Sequence, residues 1–220
     1  MSVTSIINRS ALVKVPEITA YFWIIKVLST TVGETFADYL NTTLGFGTQG
    51  TLFFMSACLV GALVWQFKLN SYFAPTYWLA VVLISVTGTL ITDTMTDKLN
   101  ISLITSTIVF GIALGTAAGD LFAEKIALGY FTSFLVFAGC IVVIAVAWRL
   151  QLINSVLAFW VTYVITRPLG ASIGDFLSQP KNTSGIGLGT TTTSLIFLGA
   201  ILILVTFLQV SKKDAPVSAH

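Results

Sequence analysis

Seven apolar stretches dominate this chain, at roughly 17–41, 49–69, 75–98, 101–124, 127–150, 155–178 and 188–210. Each approaches or exceeds the about 20 residues that a helix needs to cross the hydrocarbon core of a bilayer. Lipid offers the backbone no hydrogen-bond partners, so such stretches cross as helices. The connections are short and leave no room for a soluble domain. The sequence therefore predicts an all-α integral membrane protein of seven transmembrane helices, one transmembrane domain over residues 1–220. Composition agrees. Of the 220 residues 9% are charged and 55% hydrophobic, with a mean hydropathy of +0.92, against about 25% charged in soluble domains. Disorder, nucleic-acid binding and a disulfide scaffold are excluded. Cys58 and Cys140 lie in apolar runs and read as packing residues.

The spans resemble one another. Gly33-Glu34-Thr35-Phe36-Ala37-Asp38 in the first matches Gly119-Asp120-Leu121-Phe122-Ala123-Glu124 in the fourth. Gly88 to Asp93 in the third matches Gly170 to Asp175 in the sixth, both reading G-x-x-I-x-D. Cys58 and Trp65 in the second correspond to Cys140 and Trp148 in the fifth. The pattern predicts two copies of a three-helix unit, about 17–98 and 101–178, with an extra helix at 188–210. Three crossings are odd, so the copies are expected to be inverted, an arrangement common in secondary transporters.

Val15-Pro16-Glu17 and the run from Ile25-Lys26 through Gly33-Glu34, with Gly170 to Asp175, resemble a family of bacterial inner-membrane proteins. Its members are built from an internal repeat of unknown function and are often labelled only membrane-anchored. The resemblance covers nearly the whole chain. It implies a polytopic protein of a bacterial inner membrane and carries no activity.

Charge inside a bilayer is costly and marks function by default. Glu34, Asp38, Asp93, Asp97, Asp120, Glu124 and Asp175 stand within or at the ends of spans, whereas only Lys26 and Arg167 are deep bases. The surplus of acid is expected to be relieved by protonation, by bound cations or by water. Glu34 with Asp38, Asp93 with Asp97, and Asp120 with Glu124 are each four apart and share a helix face. With seven alternating spans, Glu34, Asp38, Asp93 and Asp97 are expected at one membrane face and Asp120, Glu124 and Asp175 at the other. Lys26 aligns with Ile112 and Arg167 with Ser85, so the bases break the repeat and read as gating or counter-charges. Pro168 is expected to kink its span.

Hydroxyls accompany the acids, at Ser29 to Thr31, around Asp93, at Thr116, Ser172 and Thr190 to Ser194. Oxygen ligands suit hard cations, which nominates Glu34, Asp38, Asp93, Asp120 and Asp175 as metal ligands. The one histidine, His220, is the last residue, so no buried histidine serves zinc or a triad. No nucleotide fingerprint is present, and neither an enzyme nor a resident cofactor is expected. Trp23, Trp65, Trp78, Trp148 and Trp160 read as interfacial belts. Counted over seven spans, five Lys/Arg face four and leave orientation open, leaning to an inside N-terminus. The expected function is secondary transport of a cation, foremost Mn²⁺, Mg²⁺ or Ca²⁺, coupled to protons through these carboxylates. A proton-coupled carrier of a small organic solute, a cation channel, and a structural or sensory role are the competitors. The expected partners are the lipid bilayer, the cation or small solute carried and a second copy of the chain in a homodimer, with no nucleic acid.

Overall fold

The computed structural model describes residues 14–98 and 129–215, with the backbone alone for residues 97 and 98. Among them stand six α-helices: α1 (Ala20–Asp38), α2 (Gly47–Lys68), α3 (Ala74–Asp93), α4 (Tyr130–Arg149), α5 (Ser155–Ser178) and α6 (Thr190–Ser211). Local sequence sets their starts. Thr19 caps α1 by accepting from the Phe22 N–H at 3.4 Å, and Asn154 caps α5 by accepting from Leu157 at 2.8 Å. Pro75 occupies the first turn of α3, where its missing N–H costs nothing. Gly129 and Gly189 precede α4 and α6 at φ of 75° and 80°, a backbone region that favours glycine. Both α1 and α3 end in a π-helical turn, Tyr39–Thr43 and Thr94–Lys98. The α5 helix continues through Pro168, so the expected kink does not interrupt it.

Five helices, α2 to α6, are long and apolar enough to cross a membrane. The sixth, α1, carries Lys26, Glu34 and Asp38, yet it is the centre of the bundle. It packs against α3, α5 and α6, while α2 packs on α3 and α4 on α5. Lipid competes poorly for polar side chains, so the most polar helix goes inside and the uniformly apolar α2 and α4 go outside. The expected span at 101–124 lies outside the described residues.

Side-chain register fixes direction. Along α1 and α5, Phe22 meets Phe159, Lys26 meets Tyr163, and Thr30 bonds to Thr166. A Cβ on Gly174 would touch Glu34 and Thr35. The numbers rise together, so α1 and α5 are parallel. Phe22 meets Trp78 and Glu34 meets Thr89, so α3 is parallel to both. Tyr21 meets Phe207 and Thr35 meets Ser194, so α6 is antiparallel. Phe131 stacks near Phe176 and Trp148 bonds to Ser155, so α4 runs down where α5 runs up.

These directions correct the expected inversion. The matched hairpins α2–α3 and α4–α5 run the same way, so their relation is a parallel repeat about an axis along the helices. The span expected at 101–124, on which the parity argument rested, lies outside the described residues. In the described bundle, the C-terminal end of α3 and the N-terminal end of α4 lie at the same, upper, face. Asp175 consequently belongs with Glu34, Asp38 and Asp93, not on the opposite side. The basic residues also regroup. Lys14, Lys68, Arg149, Lys212 and Lys213 sit at the lower face, against Lys98 and Lys181 at the upper.

Candidate functional site

The core of α1 divides at Lys26. Below it, Phe22, Ile25, Trp78, Val205 and Leu208 form an apolar cluster with Trp23, Phe159 and Tyr163 packed around it. Trp78 is 1% exposed and lies 5.6 Å from Phe22, so it belongs to the core and not to an interfacial belt. Trp65, Trp148 and Trp160 do face outward, as expected of a belt.

Above Lys26 the interior is mixed: Ala37, Leu40, Met55, Val86 and Leu90 form an apolar cluster between α1, α2 and α3, and polar side chains are buried beside it. Ser29, Thr30, Thr31, Glu34 and Thr35 of α1 are all buried. So are Ser85, Thr87, Thr89 and Thr92 of α3, and Thr166, Arg167, Ser172 and Asp175 of α5. Many of these hydroxyls bond to the carbonyl one turn back, as Ser29 does to Ile25 at 2.7 Å and Thr92 to Gly88 at 3.1 Å. Others tie helices together. Thr30 Oγ1 donates to the Thr166 carbonyl at 3.0 Å, and Ser194 Oγ donates to Thr35 Oγ1 at 2.9 Å. The helices can come this close because of glycine. A Cβ on Gly33 would overlap Ser85, and one on Gly170 would overlap Thr30. Small residues play this part at membrane helix interfaces generally.

Arg167 and Glu34 occupy the three-helix junction. Arg167 Nη1 donates to Ser85 Oγ at 2.5 Å, and Nη2 to the Ser85 carbonyl at 3.5 Å. Glu34 Oε2 accepts from Thr89 Oγ1 at 3.4 Å. Opposite charge attracts Arg167 to Glu34, while Lys26 and Arg167 repel one another. The Lys26 ammonium lies 4.1 Å from the centroid of the Tyr163 ring, a cation–π contact. Thr87 Oγ1 of α3 and Ser172 Oγ of α5 are buried without a hydrogen-bond partner among the described residues.

Of the expected site residues, Glu34, Asp175, Lys26 and Arg167 are buried in this seam, and Asp38 and Asp93 are half-buried above it. The side chain of Asp97, and Asp120 and Glu124 entirely, lie outside the described residues. Among the described residues no three carboxylates, cysteines or histidines gather closely enough to hold a metal ion. Sequence reasoning missed Tyr163 and Ser85 as partners of the bases. Tyr163 stands four residues before Arg167, one turn away on the same helix face, which was a usable signal. Ser85 was the aligned mate of Arg167. Mates across a repeat touch only near its axis, so this contact places the Arg167–Ser85 bond there.

A second polar cluster, at the lower face, joins the chain ends to the α2–α3 turn. Tyr72 Oη donates to Asp214 Oδ2 at 2.5 Å, and the Glu17 N–H donates to the Asp214 carbonyl at 2.9 Å. Burial, and then the hydrogen bond to Asp214, push the Tyr72 phenol well above its ordinary pKa.

The model of one protein family, described as Repeat of Unknown Function (DUF347), matches four stretches: residues 21–72, 76–115, 112–152 and 158–214. No curated protein and no solved structure matches the chain. Each stretch contains one glycine–acid motif. Gly33, Gly88 and Gly170 stand twelve residues after the starts of their stretches, at 21, 76 and 158. The repeat is thus shorter than the expected three-helix unit, and α6, expected to be extra, falls within the fourth stretch.

Proposed function

We propose that this chain, which belongs to the family of the Repeat of Unknown Function (DUF347), is a proton-coupled secondary transporter of an inner membrane. The observation that carries this reading is Glu34, a buried carboxylate at the junction of α1, α3 and α5, next to Arg167. A proton needs no cavity, and protonating Glu34 would remove the charge that attracts Arg167. The guanidinium would keep its bonds to Ser85 of α3 but lose the attraction of that charge. Loading one proton would therefore loosen the helix contacts that close the centre.

The first reading of the cargo is a hard cation. Glu34, Asp38, Asp93 and Asp175 all lie in the upper half of the described bundle, with oxygen donors around them, and Asp97, Asp120 and Glu124 are proposed to complete the set. A second reading, a small organic solute, is favoured by one observation. The buried charges of the six helices balance among the described residues, Lys26 and Arg167 against Glu34 and Asp175. A balanced interior suits a polar solute better than a bare divalent ion. The Lys/Arg excess at the lower face supports a cytoplasmic location for that face.

The test is proton flux. The purified protein is placed in liposomes with a pH-sensitive dye inside, and Mg²⁺, Ca²⁺, Mn²⁺, Na⁺ and K⁺ are added in turn. The expected result is acid movement driven by one ion and lost in Glu34→Gln, with helix content and elution unchanged. Flux in Glu34→Gln equal to the parent would sink the assignment of Glu34. Silence for every ion, with folded protein, moves the cargo to organic solutes.

A further inference from the structure

The turn between α4 and α5 carries two adjoining cavities. One, of about 470 Å³, is bounded by Arg149, Gln151, Asn154 and the residues beside them. The other, of about 600 Å³, rises from that turn between α1, α4 and α5, walled by Val27, Ile141, Ile144, Phe159 and Leu169. Trp148 and Ser155 line both, and Trp148 Nε1 donates to Ser155 Oγ at 3.0 Å, so the two spaces meet at one bonded pair. The polar cavity opens beside an exposed guanidinium at the end of a spanning helix. The apolar one runs along spanning helices. A polar head on an apolar cleft is the outline of a lipid.

Two observations choose the charge of that lipid. Arg149 is exposed at the polar cavity, on the face that also carries Lys14, Lys68, Lys212 and Lys213. The repeat supplies the other. Asn154 aligns with Tyr72 at the offset that relates Arg167 to Ser85, and at Tyr72 the docked group is an anion, the Asp214 carboxylate of the chain's own tail. Among the described residues no such tail reaches the α4–α5 turn, which carries basic Arg149.

We propose that these two cavities form one binding site for an anionic phospholipid of the lower leaflet. The phosphate lies against Arg149, Gln151 and Asn154 donate to the headgroup, and one acyl chain fills the cleft. The chain then bears on Val27 of α1 and on Thr166 of α5, whose carbonyl holds Thr30. Occupancy thereby stiffens the α1–α5 contact beside Lys26. The site stands whether or not the transport reading does.

The experiment uses tryptophan quenching in phosphatidylcholine vesicles doped with brominated phosphatidylglycerol or, separately, brominated phosphatidylcholine. The expected result is about fivefold stronger quenching-site affinity for the anionic lipid, the preference that one basic residue near an anionic surface confers. Arg149→Gln should abolish the preference, and Trp148→Phe should remove the preferentially quenched component. Ala145→Phe, which fills the cleft and leaves Arg149 in place, should weaken both lipids. Inorganic phosphate in large excess should not compete. Equal affinity for the two lipids, an undiminished preference in Arg149→Gln, or full competition by free phosphate would each overturn the proposal.

Discussion

The two halves of α1 are held by different forces. Below Lys26, rings pack on rings, with Phe22 against both Trp78 and Phe159. Above it, hydroxyls, a carboxylate and a guanidinium are joined by hydrogen bonds across three helices. In a bilayer the lower arrangement gains little from the hydrophobic effect, because lipid tails are as apolar as the rings they replace. Shape and dispersion hold it. The upper arrangement has the opposite economy: each polar group is costly to expose and costly to leave alone. One half can therefore tolerate repacking, and the other is sensitive to the loss of a single partner.

Breaking the upper half should have the largest effect. Arg167→Gln leaves Glu34 without its opposite charge in a water-poor interior. Removing one partner of a buried pair costs about 3–5 kcal/mol, so unfolding in detergent should move to markedly lower denaturant concentration. Arg167→Lys should recover part of this, because a point charge can still face Glu34 but cannot bond twice to Ser85. If Arg167→Gln unfolds with the parent, the junction does not hold the upper half, and the contrast between halves collapses.

A smaller effect tests how close the helices come. In Gly170→Val the new carbons would meet Thr30 and the backbone of Thr31, whereas no described residue lies within reach of a Cβ on Gly139 of α4. Overpacking of this kind costs about 1–3 kcal/mol. Thermal unfolding should therefore drop in Gly170→Val and stay put in Gly139→Val. Equal behaviour of the two would mean that α1 and α5 can part without loss, and the glycines would lose their role.

Much of this was legible in the sequence, and the omissions have causes. Helix positions followed from apolar length, since lipid leaves the backbone no alternative. The glycine–acid motifs pointed to the core because Gly33 and Gly170 mark where helices touch. Lys26 and Arg167 stood out because deep charge is rare. Direction was not legible, since it depends on whether 101–124 counts as a single crossing, and hydropathy alone cannot decide this. Without direction, Asp175 was placed opposite Glu34 and the loop charges stayed indecisive. Trp78 was assigned to a belt because its place near a helix end resembles that of Trp160; only packing against Phe22 separates them.

The smallest expected effect lies at the foot of the lower half, where a polar latch seals the aromatic packing. Tyr72→Phe removes the bond to Asp214 and should cost about 0.5–1.5 kcal/mol at neutral pH. The sign with pH follows from the raised pKa of Tyr72. The neutral phenol is favoured in the folded state, so its contribution is complete below about pH 10, the ordinary tyrosine value. It is lost only as pH rises through the higher folded value. The gap between parent and Tyr72→Phe in thermal unfolding should thus stay constant from pH 6 to 9 and narrow only in stronger alkali. A gap that closes between pH 6 and 9 would show the latch to depend on another group, and the lower half would then share the pH sensitivity assigned here to the upper one.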